Sequence, residues 1–209
     1  MTMPGPPAPT PSRGRPPLVG LDQIIAAGVE IGLDDLTMTR VAKHLGVGNA
    51  TLYGHVRDLD ELKDRLVAKM IGELDLPSAE ELDVRGLLCR IGTDLRRLVR
   101  LHAGLGHELM EREVPAYQAH HERHIELLVE LGLEPVPALL LAEDIPSFVL
   151  GYESVIGAPT DLDEFRSAVV QAAYAETPSV SDDAVFAWTL RSHVDGLVNA
   201  IGRNDLPWS

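Results

Sequence analysis

Between Leu36 and Val56 the sequence reads LTMTRVAKHLGVGNATLYGHV, and no other stretch constrains the fold as tightly. Its apolar residues recur at helical rather than alternating spacing, and Gly46 interrupts them. The pattern predicts two short helices. Thr37 caps the first, over Val41, Ala42 and Leu45; Gly46 frees the backbone for a turn; the second covers about 49–56. Val41, Ala42 and Leu45 then meet Val47, Leu52 and Val56, with Ala42 small enough for the axes to approach. Two helices crossing in this way form a helix-turn-helix, although the same pattern also fits two helices that merely close a globular fold.

The residues left on the outside are Asn49, Ala50, Thr51, Tyr53, Gly54 and His55. That set suits the major groove of a double helix. Asn49 can donate to and accept from an adenine edge, while Ala50 and the Thr51 methyl can meet a thymine methyl. Tyr53, His55, Thr37 and Thr39 offer hydrogens to phosphate oxygens, which position a helix without reading sequence. Gly54 leaves room for a close approach.

Nearly every other segment has the same helical period and none alternates cleanly enough for a strand, so the chain is expected to be all-α. A helix at about 21–32 places Leu21, Ile24, Ile25, Val29 and Ile31 along one side. Asp58 and Glu61 form a D-x-x-E capping signal for a helix through Leu62, Leu66 and Met70 that ends before Pro77. Further helices are expected near 80–101, 105–113, 115–131, 136–156, 161–175 and 181–202, punctuated by Pro115, Pro135, Pro137, Pro159 and Pro178. Pro146 falls inside the 136–156 pattern, where it should kink the helix or divide it. Residues 1–17 hold seven prolines and no apolar period, and should form a mobile arm. The expected organisation is therefore an arm at 1–17, a helix-turn-helix domain at 18–76 and a larger helical domain at 77–209.

Charge has to be located before it can be used. The chain carries a net charge of −14. Up to residue 57, Arg13, Arg15, Arg40, Lys43 and Arg57 stand against Asp22, Glu30, Asp34 and Asp35, so the acidity belongs to the rest. An acidic body repels DNA phosphates and leaves the near-neutral start as the contact surface. One cysteine, Cys89, excludes an intramolecular disulfide and reads as a small buried hydrophobe. The start lacks the apolar core of a secretory signal and no run approaches a membrane span, so a soluble, cytoplasmic protein without a membrane partner is expected.

The longer stretch LTMTRVAKHLGVGNATLYGHVRDLDELKDRL resembles the DNA-binding domain of the TetR family, nearest to its tetracycline-repressor branch. The resemblance covers residues 18 to about 70 and rests on Leu-Thr, Val-Ala, Leu-Gly-Val and Leu-Tyr-x-His at these spacings. It implies a three-helix DNA-binding head, one per subunit of a homodimer, on a palindromic operator. It also implies DNA contacts at Thr37, Thr39, Asn49, Ala50, Thr51, Tyr53, Gly54 and His55. Gly14–Pro16 resembles the family's N-terminal lead-in. Two residues depart from the pattern: Leu59 stands where many members carry a phosphate-binding lysine, and Gly48 replaces a Ser-type cap. Arg13, Arg15 and Arg57 are left to carry more of the phosphate anchoring.

For the remainder, the resemblance implies a pocket for a small-molecule effector among the middle helices, with Leu98, His102, Leu105, Leu109, Phe148, Val149 and Tyr152 as candidate lining. No tetracycline-binding residues are carried over. The resemblance of the last helix, with the packing of apolar faces, points to a dimeric four-helix bundle from about 136–156 and 181–202. Val185, Trp188, Thr189, Ser192, Asp195, Gly196 and Asn199 are the candidate interface. No cofactor is required for such a regulator, and no catalytic motif is present. A different function, a helical metal-binding protein or metalloenzyme, would use His120, His121 and His124, whose helical spacing allows a shared face.

Overall fold

The computed structural model describes residues 19–78, 82–155 and 181–203. The Pro-rich arm with Arg13 and Arg15, and the helix expected at 161–175, lie outside the described residues. Those described form nine α-helices and no strand, as the periodicity predicts. They are α1 (Leu21–Ile31), α2 (Met38–Leu45), α3 (Asn49–Tyr53), α4 (Leu59–Ile71), α5 (Val84–Leu101), α6 (Leu105–Glu111), α7 (Pro115–Glu130), α8 (Pro135–Val155) and α9 (Asp182–Gly202).

Local chemistry sets the ends of the first four helices. The Thr37 hydroxyl accepts the Arg40 N–H at 3.1 Å and starts α2. Gly46 stops it in the left-handed region, at φ 67°, where a side chain would be strained. The third helix is shorter than the sequence pattern suggests. It ends at Tyr53, because from Gly54 onward the chain tightens into a turn in which Gly54 and His55 donate to the carbonyls of Thr51 and Leu52. Asp58 caps α4 by accepting the Glu61 N–H at 2.8 Å. Glu61 reaches back one residue further than a standard capping box and accepts the Arg57 N–H.

The buried side of α1 also differs from the expected stripe. Ile24, Ala27 and Gly28 are buried, whereas Leu21, Ile25, Val29 and Ile31 are half-buried at its margins. Small residues win the inner positions because α1 packs closely on α2 and α4. One apolar core then runs from Ile24 in α1 to Val194 in α9.

Around that core, α5 and α8 pack together, α7 lies against α8 and α4, and α9 against α5. Gly92 permits the α5–α9 approach, since a methyl there would stand 2.8 Å from the Leu190 methyl carbons. Pro146 does not divide its helix: α8 runs unbroken for 21 residues. Its neighbours on both sides, α5 and α7, supply the packing that offsets the hydrogen bond the proline lacks.

The first four helices meet the rest at two places. The Leu33 N–H donates to the Ala103 carbonyl at 3.1 Å, and Gly104, at φ 85°, brings its backbone so close to Asp34 that a side chain could not fit. Beside it, Lys63 of α4 donates to Glu108 of α6, which is buried. Arg112 donates to Glu108 at 3.0 Å and to Asp64 at 2.6 Å, so α4 and the end of α6 share one ionic network.

Candidate functional site

The α2–α3 pair has an apolar inside and a polar outside. Val41, Ala42, Leu52 and Val56 are buried, with Leu45 and Val47 partly so. Thr37, Thr39, Asn49, Ala50, Tyr53 and Gly54 are exposed, and Thr51 and His55 are half-buried. All eight therefore belong to the surface of one short segment, and Tyr53 is 54% exposed. The Asn49 amide donates to the Thr39 hydroxyl at 3.4 Å, a bond that bridges the two helices on this outer side.

Most of the charge around this face is already paired. Arg40 meets Asp35 at 2.5 Å, and His44 meets Glu30 at 3.1 Å. Arg57 donates to Glu61 at 3.0 Å while Arg65 donates to the same carboxylate at 2.7 Å. The Arg57 backbone N–H, then Arg65 and the Arg57 guanidinium, hold the Glu61 carboxyl down at about 2. Arg57 thus begins from an ion pair, although its side chain is 83% exposed. Leu59 is half-buried against the core and presents no charge.

Deeper in the molecule a cleft of about 580 Å³ opens between α6, α7 and α8. Leu109 and Met110 bound it on α6, Tyr117, Gln118 and His121 on α7, and Glu143, Pro146, Ser147 and Leu150 on α8. Burial pushes the Tyr117 phenol up to about 12, so it stays a neutral hydrogen-bonding group. Of the seven residues expected to line a pocket, the structure brings only Leu109 to this cleft. Leu98, Leu105 and Val149 are buried in the core. His102 is buried with its Nε2 3.3 Å from Glu73. Phe148 and Tyr152 join Phe186 and His193 in a ring cluster between α8 and α9, with the Phe148 and His193 centroids 4.6 Å apart.

Met110, Tyr117, Gln118, His121 and Glu143 are not legible as cleft residues in the sequence. In isolation α7 reads as a polar surface helix, and only the way it lies against α8 turns part of that surface inward.

The three histidines of α7 do not act as one set. His121 borders the large cleft, whereas His120 and His124 line a smaller cavity with Asp94 and Leu95 of α5. The His120 and His124 rings meet edge-on at 4.5 Å. Burial, then the neighbouring His120 and His121, pushes His124 down to about 3, and burial lowers His120 as well. Among the described residues no group of three or more His, Cys, Asp or Glu side chains is placed to hold a metal ion.

On α9, Val185, Trp188, Ser192, Gly196 and Asn199 are exposed, with Trp188 at 70%, while Thr189 and Asp195 are half-buried. Asp195 and Asn199 accept from Arg85 of α5 at 3.0 and 2.8 Å. Val136, Leu139 and Leu140 on α8 are also exposed. No helix among the described residues is long and apolar enough to cross a membrane.

A short capped helix, a left-handed glycine turn and a second helix with a polar outer face, set on an all-α scaffold, define a helix-turn-helix protein. No protein-family model matches the sequence. The chain is 31% identical over 155 residues to the HTH-type transcriptional repressor DrrR1 of Streptomyces coeruleorubidus, covering 68% of this chain and 55% of that protein. It thus spans about half the length of that curated relative. Its structure is similar to that of the TetR family protein ActR from Streptomyces coelicolor in complex with actinorhodin, with a TM-score of 0.66 and 26% identity over 88% of this chain and 99% of the other. It also shares its fold with TetR-Q116A from Acinetobacter baumannii AYE in complex with minocycline, with a TM-score of 0.71 and 23% identity over 87% of this chain and 94% of the other. The chain is thus similar in sequence to a helix-turn-helix repressor and in fold to TetR family proteins.

Proposed function

We propose that the protein is a ligand-responsive transcriptional repressor that binds a palindromic operator as a homodimer in the cytoplasm. Residues 18–76 act as its DNA-binding head, preceded by the arm at 1–17, and residues 77–209 as its effector-binding and dimerisation body. The observation that carries this reading is the polar outer face of α2 and α3, set over the buried Val41, Leu52 and Val56. In this reading Asn49, Ala50 and Thr51 meet base edges, Thr37, Thr39, Tyr53 and His55 meet phosphates, and Gly54 admits the backbone. Arg13, Arg15 and Arg57 supply the general phosphate attraction.

The homodimer forms through the α8 and α9 faces that carry Leu139, Leu140, Val185 and Trp188. Large apolar side chains left exposed on two adjacent helices are what a second copy buries in a four-helix bundle. The effector occupies the α6–α7–α8 cleft, whose size and lining suit an organic molecule. ActR and TetR-Q116A were each solved with such a compound bound. The Lys63–Glu108–Arg112–Asp64 network lies between the cleft-forming α6 and the head's α4, so an effector that displaces α6 changes how the head is held. The family comparisons favour this reading over a metal site on α7.

Sedimentation of the purified protein and operator selection from random DNA test it together. The expected result is a dimer of the 22.7 kDa chain that recovers a palindrome. A monomer at micromolar concentration, or selected DNA without two-fold symmetry, overturns the reading.

A further inference from the structure

We propose that the α6–α7–α8 cleft selects an amphipathic organic cation, an apolar body bearing one ammonium group, and that Glu143 is the side chain that recognises the charge. The proposal rests on the reading of this cleft as the effector site. Among the described residues that line the cleft, Glu143 is the only Asp, Glu, Lys or Arg. It is exposed on α8, and among the described residues no ion pair engages its carboxylate. The next residue differs: Asp144 is already held by His193 at 2.5 Å. Among the described residues, the Glu143 backbone carbonyl accepts the Ser147 hydroxyl at 2.8 Å, a bond that leaves the side chain uncommitted.

The same cleft is lined by Leu109 and Met110 of α6 and Pro146 and Leu150 of α8. The two methyl-rich α6 side chains adapt to the shape of an apolar body, Met110 most of all. An anion in this cleft meets a carboxylate with no cation to offset it. A neutral molecule shields Glu143 from water and returns nothing for the lost hydration. A cation does both tasks, pairing with Glu143 while its body covers the apolar walls. The strongly acidic chain beyond the head adds a long-range attraction of the same sign. Tyr117 and Gln118 are left to orient the molecule through neutral hydrogen bonds. The space, about 580 Å³, admits a molecule of several rings.

The test uses two fluorescent probes with the same three-ring body and opposite charge, 9-aminoacridine as the cation and anthracene-9-carboxylate as the anion. Each is titrated without DNA into the full-length protein, into Glu143→Gln and into Gly151→Phe. Gly151 borders the cleft at a helix position where an added Cβ meets nothing within 4 Å, so Phe fills the cleft without disturbing the core. The wild type is expected to bind the cation about fivefold more tightly than the anion, the worth of one partly exposed ion pair. Glu143→Gln brings the two affinities together with an unchanged melting temperature, and Gly151→Phe weakens both probes. Equal affinities in the wild type, no saturable binding of the cation, or a preference that survives Glu143→Gln overturns the proposal while leaving the effector-site reading standing. Binding of the cation that is indifferent to Gly151→Phe removes the ligand from this cleft, and the effector-site reading fails with it.

Discussion

The outer face of α2 and α3 presents its side chains from a single stretch of chain, whereas the α6–α7–α8 cleft is assembled from three helices. On the face, eight candidate contacts lie between Thr37 and His55, and their exposure follows from helical period and a turn. In the cleft, Leu109, Tyr117 and Glu143 become neighbours only through tertiary packing. The difference shows why one region reads as chemistry and the other as core. A polar residue on the far side of an amphipathic helix has no packing task, so its identity points to an external partner. An apolar residue in the body has two possible tasks, and sequence alone does not separate them.

The largest break in this comparison comes from removing the scaffold under the face. Leu52 is fully buried, and Leu52→Ala is expected to cost about 3 kcal/mol through lost burial and a cavity. Urea denaturation reads that loss, and DNA affinity falls with it because the outer side chains lose their common support. Glu108→Gln strikes the junction instead. It strips the charge from a buried carboxylate that Lys63 and Arg112 both engage, and is expected to destabilise by about 2 kcal/mol in the same measurement.

The upper part of the acid limb of stability belongs to His124 in the body. His124 is buried and held at about 3, against an ordinary value of 6.5, chiefly by desolvation. Below about 6.5 the unfolded chain takes up a proton that the folded chain refuses, so stability is lost as pH falls from there toward about 3. His124→Leu is expected to flatten that decline, by about 2 kcal/mol at about pH 5, in urea midpoints measured across the range. Carboxylates shape the same limb. Burial alone would raise Glu108, but Lys63 and Arg112 more than offset it and leave it lowered, so its contribution also fades in acid. An identical decline in His124→Leu and wild type contradicts the assignment.

The smallest effect concerns general anchoring. With Leu59 uncharged and Arg57 paired to Glu61, a larger share is expected of the arm. Arg13→Ala with Arg15→Ala is expected to weaken all DNA sequences alike and to reduce the slope of log affinity against log salt by about 2. Unchanged affinity across a salt titration excludes the arm from binding.

How far the fold was legible follows the same division. Caps and stops read correctly where one residue decides them, as Thr37, Gly46 and Asp58 do. The third helix is shorter than its period predicts, because the apolar spacing continues to Val56 while Gly54 already turns the chain. In α1 a hydrophobic count favoured Val29 and Ile31, but close packing against α4 reserves the inside for Ala27 and Gly28. The α4–α6 network was invisible in the sequence, since Lys63 and Glu108 look like ordinary surface charges until the fold brings them together. Phe148 and Tyr152 were expected at a pocket and instead close the α8–α9 contact, because aromatic side chains fill an interhelical gap as readily as they line a cavity.

The central claim is that the α2–α3 face reads base sequence, and Asn49 is its sharpest point because it bridges to Thr39 and carries both a donor and an acceptor. The direct measurement is the affinity of wild type and Asn49→Ala for the selected operator and for every single-base change in one half-site, at fixed salt. The account predicts that the wild type loses about 1–3 kcal/mol when one particular A·T pair is changed, and that Asn49→Ala loses that discrimination at the same pair while keeping the others. A variant that discriminates at every position as the wild type does contradicts it.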